Sequence, residues 1–263
     1  MPADVIDYEL IGDDLQMVVI TLDPGEAVLA EAGAMCYKTS GIEIDTRIDP
    51  HGQGGFFNSL FRAGKRMLTG ESFFITVFTC TSNNREEVAF ASPYPGKIVP
   101  FDLKEFGGQI TCQKDSYLCS AKGIDVDITF TKKLGTGFFG GEGFILQKLT
   151  GDGLAFIHAG GTIVPIDLQA GQTLHVDTGC LVAFTSGVDY DIKYVGGIKT
   201  AVFGGEGLFF AHLTGPGRVW LQSLPFSRLA DRVIAHAPRV GGKRTGEGSI
   251  LGGIGGLLDG DNS

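Results

Sequence analysis

The sequence has no run of roughly 18 to 20 consecutive apolar residues, the length a membrane-spanning helix needs, which excludes a helical integral membrane protein. It is short of basic charge: 21 Lys and Arg stand against 30 Asp and Glu, a formal net charge of −9. Proteins that grip phosphate backbones carry a basic footprint, so this balance argues against nucleic acid as a partner. The 5 cysteines (Cys36, Cys80, Cys112, Cys119, Cys180) are scattered, with no C-x-x-C and no secretory leader before them. They read as reduced, small apolar side chains of a cytoplasmic protein. The 5 histidines (His51, His158, His175, His212, His236) lack the close spacing of a metal site. There is no G-x-S-x-G elbow, and no cysteine sits in a nucleophile motif. The string GTGFFG at 135–140 satisfies G-x-G-x-x-G, but another glycine turn and an apolar strand follow it rather than the helix a dinucleotide site requires. No cofactor and no metal are expected, and no catalytic residue is assigned.

What is present in excess is glycine, at 41 of 263 residues. Glycine costs chain entropy on folding, so this many implies many turns. Their spacing repeats. Gly25, Gly33 and Gly41 are evenly spaced, and the same spacing recurs at Gly107, Asp115, Gly123 and at Gly171, Gly179, Gly187. After each third member comes an alternating apolar and acidic segment, GIEID, GIDVDI and GVDYDI. Period-two alternation marks a half-buried strand, with Ile42, Ile44, Ile124, Val126, Ile128, Val188, Tyr190 and Ile192 facing in and Asp45, Asp127 and Asp191 facing out. A second block follows each time: GESFF at Gly70, GEGFI at Gly141 and GEGLF at Gly205. Copies two and three also share LTG-x-G and IVP-x-DL.

Self-similarity at this scale predicts an all-β chain of three tandem units, each too small to stand alone, sharing a core around a pseudo-threefold axis. The expected divisions are repeat 1 over 1–94 with an inserted segment at 52–69, repeat 2 over 95–158, repeat 3 over 159–224, then a short helix and glycine-rich tail over 225–263. The helix is placed at Ser227 to Ala237, with Ser227 as N-cap and Pro238 as the stop.

Two sets of residues stand out as candidate sites. The recurrent turn acids Glu71, Glu142 and Glu206 would be symmetry-related, and are read chiefly as acceptors of turn N–H groups. The insertion of repeat 1 joins apolar Phe56, Phe57, Leu60 and Phe61 to basic Arg62, Lys65 and Arg66, and repeat 2 carries Phe138 and Phe139 in the matching loop. Such a segment either closes the end of the core or forms an interaction surface, with self-association and a peripheral membrane or protein partner as the uses considered.

The segments EAGAMCYKTSGIEID, RMLTGESFFITVF, the paired GGEG and LTG-x-G blocks, and GRVWLQS together resemble the altered-inheritance-of-mitochondria protein 24 family, the mitochondrial biogenesis proteins, over about residues 5 to 225. The resemblance implies a fold like the tryptophan RNA-binding attenuation protein, a short double-stranded β-helix, present three times in the chain. It also implies a link, in eukaryotic relatives, to organisation of the mitochondrial inner membrane, and it supplies no catalytic residues. An Arg-rich amphipathic transit peptide is not seen in this sequence. The leading reading is therefore a non-enzymatic scaffold or interaction protein, with a small-ligand or RNA-binding module and an enzyme with an unrecognised site as alternatives.

Overall fold

A computed structural model describes residues 2–31, 33–45, 75–132, 144–194 and 209–237. The chain divides into two compact units, 1–227 and 228–263. The first holds all the described strands: β1 (Asp7–Ile11), β2 (Met17–Leu22), β3 (Ala27–Glu31), β4 (Met35–Lys38), β5 (Ile42–Asp45), β6 (Ile75–Cys80), β7 (Glu86–Ala91), β8 (Gly96–Asp102), β9 (Gln109–Gln113), β10 (Tyr117–Ala121), β11 (Asp125–Lys132), β12 (Phe144–Thr150), β13 (Leu154–Gly160), β14 (Ile163–Leu168), β15 (Thr173–Asp177), β16 (Leu181–Thr185), β17 (Asp189–Tyr194), β18 (Phe209–Thr214) and β19 (Gly217–Gln222). The described part of the second unit is helical, within α1 (Phe226–His236). Helix α1 begins at Phe226, so Ser227 lies in its first turn rather than at its cap. No described helix is long and apolar enough to cross a membrane.

The strands form four antiparallel sheets, in the orders β1-β2-β7-β4, β5-β6-β3-β10-β13-β8, β11-β12-β9-β16-β19-β14 and β15-β18-β17. One pairing scheme runs through them. The trios β2-β7-β4, β8-β13-β10 and β14-β19-β16 have the same connectivity, as do β3-β6-β5, β9-β12-β11 and β15-β18-β17. The first three trios share a bulge at matching places, between Met35 and Tyr37, Tyr117 and Cys119, and Leu181 and Ala183. A bulge bends its strand and raises local twist, so its recurrence shapes each sheet alike.

The spaced glycines sit where the alternation needs turns. Ile42, Ile124 and Val188 each donate a backbone N–H to the carbonyl three residues back, on Thr39, Ala121 and Thr185. Gly107 and Gly171 take φ of 70° and 77°, a left-handed conformation that costs glycine nothing and strains other residues. After these turns Ile42, Ile124, Val126, Val188 and Ile192 are buried as the alternation requires. Ile44 is not: it is 45% exposed. Ile128 is half-buried, because a bulge between Ile128 and Phe130 interrupts the alternation.

Buried apolar side chains gather in two clusters within the first unit rather than one. The larger links the first sheet (Val18, Ile20, Val88, Phe90) to the second (Leu29, Phe78, Tyr117, Phe156) and part of the third (Ile110, Val182). The smaller links the third sheet (Phe144, Leu146, Phe184, Val219) to the fourth (Val176, Ile192, Leu213). Because the second and third sheets each take strands from two neighbouring thirds of the chain, the thirds do not separate into compact units of their own. The division expected after residue 158 falls inside β13 (Leu154–Gly160).

Candidate functional site

The candidate residues Phe56, Phe57, Leu60, Phe61, Arg62, Lys65, Arg66, Phe138 and Phe139, and the turn acids Glu71, Glu142 and Glu206, lie outside the described residues. The described residues offer two other features: a buried polar network and a pair of exposed strand edges.

The network centres on His158, in β13, which is 1% exposed. Its Nδ1 lies 3.4 Å from Ser92 Oγ, and its ring packs edge-on against Tyr94 with centroids 4.8 Å apart. Ser92 Oγ donates to the Tyr94 carbonyl at 2.8 Å. Burial drives the imidazole pKa down to about 4, with a hydrogen bond to the Asp115 backbone pulling the other way. Burial raises the Tyr94 phenol well above its usual range, and the nearby charges of Asp115 and Glu31 add to that. Glu31, at the end of β3, is pushed up to about 7 by burial and by Asp115, opposed by Lys114. At neutral pH the imidazole is thus neutral and the Ser92 hydroxyl proton is engaged by a backbone carbonyl. A serine activated for attack needs a base near pKa 7 in close contact, and this geometry supplies neither feature.

The same place in the last third of the chain explains what His158 does. In the register of the matching trios, Phe156 and Ile157 correspond to Trp220 and Leu221, so His158 corresponds to Gln222. Gln222 is also buried; its Nε2 donates to the Gly179 carbonyl at 2.8 Å and its Oε1 accepts from the Gly160 N–H at 2.8 Å. Gly179 holds the place of Asp115 in the glycine spacing. Both side chains tie the middle strand of their trio, β13 or β19, to the turn before its partner strand, β10 or β16.

Sequence spacing left the histidines scattered, yet the β15–β18 pairing sets His175 directly opposite His212 with ring centroids 4.0 Å apart. Desolvation, His175 and Lys193 lower the His212 pKa, and Asp191, its partner on β17, opposes them. The signal that could have found this pair is cross-strand register, which requires knowing which strands are neighbours. Cys80, Cys112 and Cys119 are buried as expected, with burial pushing the Cys112 thiol up to about 12, whereas Cys36 in β4 is exposed.

The second feature is a contrast between corresponding strands. β10 and β16 are paired on both sides, with β13 and β3, and with β19 and β9, and are buried almost throughout. β4 corresponds to them but, among the described strands, pairs only with β7. Met35 and Tyr37 are 37% and 42% exposed there. β15 corresponds in turn to β3 and β9, which are paired on both sides, but among the described strands it pairs only with β18. His175 and Thr173 on it are exposed.

These features define an all-β protein of several antiparallel sheets, in which β4 and β15 have a strand on one side only among the described strands. The chain belongs to the family described as mitochondrial biogenesis AIM24, whose profile matches residues 8–224. It is 29% identical over 224 residues to an uncharacterised protein of Streptococcus pyogenes serotype M6, covering 84% of this chain and 87% of that one. It is also similar to a crystal structure of a Streptococcus pyogenes protein, with a TM-score of 0.70, 25% identity, and coverage of 88% of this chain and all of the other.

Proposed function

We propose that the chain is a non-enzymatic scaffold that self-associates through its sheet edges, built as three consecutive six-stranded segments of the tryptophan RNA-binding attenuation protein type. The observation that carries this reading is that β4 and β15 are paired on one side only among the described strands, whereas their counterparts in the other segments are paired on both. An exposed edge of unpaired N–H and C=O groups is a template for another chain, and natural proteins either block such an edge or use it. The recurrence of trio connectivity, bulge and turn supports the three-segment reading. The correspondence of His158 with Gln222 supports a structural rather than catalytic role for the buried network.

Contact with a membrane surface or a second protein is proposed alongside. It rests on α1, which exposes Val233 and Ile234 and carries Arg228 and Arg232. Apolar side chains flanked by arginine suit an anionic surface. Sedimentation velocity of the full chain tests self-association, and a monomer at every concentration would end the scaffold reading. Co-pelleting with anionic vesicles tests the surface contact, which should disappear on Val233→Ser with Ile234→Ser.

A further inference from the structure

The two internal joints between segments are alike residue for residue. At the first, β10 pairs antiparallel with β3 through Cys119↔Ala30, Ser120↔Leu29 and Ala121↔Val28. At the second, β16 pairs with β9 through Ala183↔Cys112, Phe184↔Thr111 and Thr185↔Ile110. The bulges place Tyr37, Lys38 and Thr39 where Cys119, Ser120 and Ala121 stand in the first joint. The pairings of β3, β9 and β15 with β6, β12 and β18 likewise place Val176, His175 and Leu174 where Ala30, Leu29 and Val28 stand. Each internal joint joins the third strand of one segment to the second strand of the segment before it. Among the described residues, β4 and β15 lack the partner that β10 and β16, and β3 and β9, find in these joints, so β4 and β15 have the form of the two halves of one further joint.

We propose that β4 of one chain pairs antiparallel with β15 of a second copy, in the register Tyr37↔Val176, Lys38↔His175 and Thr39↔Leu174, so that the segment series continues from chain to chain. This rests on the scaffold reading and adds the partner, the strands and the register. The occupant is a second copy because the two edges are complementary halves of a joint that this sequence already makes twice. The other sheet edges that recur in every segment, β5, β11 and β17 among them, are edges at matching places and so are not vacated joints. The surfaces agree with the pairing. Tyr37 is exposed where Cys119 and Ala183 are fully covered, and in this register it stands opposite Val176, which is 5% exposed and already packs in the smaller core cluster, so the aromatic ring would extend that buried face. The contact is head-to-tail, with different surfaces on the two sides, and therefore closes into a ring or extends as a filament.

Directly opposed residues of an antiparallel pair have Cα atoms roughly 4.5 to 5.5 Å apart, within the range a disulfide spans. In a Cys36→Ser background, full-length chains carrying Lys38→Cys should be mixed with chains carrying His175→Cys and mildly oxidised. The expected result is a covalent dimer of one chain of each kind that grows no further, whereas both substitutions in one chain should give a ladder of covalent multimers. Lys38→Cys with Thr173→Cys, offset by two residues, should lose most of that cross-link. A doubly substituted chain that oxidises only to an internally linked monomer, or an offset pair that links as well as the matched pair, would overturn the proposal. If the parent chain sediments as an oligomer but the matched cysteines stay reduced, the register and strands fall while self-association stands; if it sediments as a monomer, both fall. Lys38→Pro gives a second readout: proline cannot donate to the new ladder, so the oligomer should be lost with the circular dichroism spectrum and thermal midpoint of the monomer kept. An oligomer unchanged by Lys38→Pro would also count against the proposal.

Discussion

β10 and β4 occupy the same place in two of the matching trios and meet opposite fates. In β10 every residue is buried, strands flank it on both sides, and the Tyr117 hydroxyl donates to the Leu29 carbonyl and shares a second hydrogen bond with the Ser120 hydroxyl. In β4, Met35, Cys36 and Tyr37 are exposed. Similar local structure therefore yields core in one case and surface in the other. What differs is that β10 finds β3 on its second side, whereas β4 has no second neighbour among the described strands. Burial of a β-strand is set by its neighbours, and an edge left without one is open to another chain.

The comparison breaks most sharply with proline. Ser120→Pro removes a ladder hydrogen bond in the middle of a six-stranded sheet, and should cost roughly 3 kcal/mol or more, seen as loss of the cooperative urea transition. Lys38→Pro at the corresponding edge position should leave that transition within about 1 kcal/mol of the parent under conditions where the parent is a monomer. Equal destabilisation by the two would mean that β4 is as integral to the monomer as β10.

A second contrast sets the last strand of the middle segment against that of the third. His158→Ala leaves a cavity and strips partners from a buried turn, so it should lower unfolding free energy by roughly 2–3 kcal/mol. His158→Gln installs the side chain that Gln222 uses at the corresponding place and should cost less than half as much. Chemical denaturation of both variants decides this; equal losses would show that the two places are not equivalent.

The buried His158 and the half-buried Glu31 have opposite pH signs. His158 has a folded pKa of about 4 against an ordinary 6.5, so the unfolded chain takes up a proton that the fold refuses, and stability falls as pH drops from 6.5 to 4. Glu31 has a folded pKa of about 7 against an ordinary 4.5, so the unfolded chain releases a proton that the fold keeps, and stability falls as pH rises from 4.5 to 7. Relative to the parent, His158→Gln should gain stability toward pH 4, and Glu31→Gln should gain toward pH 7, each by about 1–2 kcal/mol across the window. Denaturation midpoints at several pH values check the signs, and parallel curves would refute them.

The smallest expected effect concerns Gln147, fully buried in β12, whose side-chain amide has no hydrogen-bond partner among the described residues. Its counterpart in β18 is Ala211, which also lies opposite the second strand of its segment. A buried amide without partners costs about 1–3 kcal/mol, so Gln147→Leu should raise the thermal midpoint by a few degrees. A lower midpoint would mean that the amide is satisfied in solution.

The spacing of glycines determined much of the local structure: the turns at Ile42, Ile124 and Val188, the strands after them, and a helix near the end of the chain are where sequence periodicity puts them. Turn conformation and side-chain alternation are properties of a few adjacent residues, so they can be read from composition and period alone. Family membership was legible for the same reason, in the short blocks around those turns. The pairing of β3 with β10 and β9 with β16, the opposition of His175 and His212, the network around His158, and the exposure of β4 and Ile44 were decided only in the tertiary structure. Each depends on register between strands far apart in sequence, and a shift of one residue there turns a buried face outward without changing any local pattern.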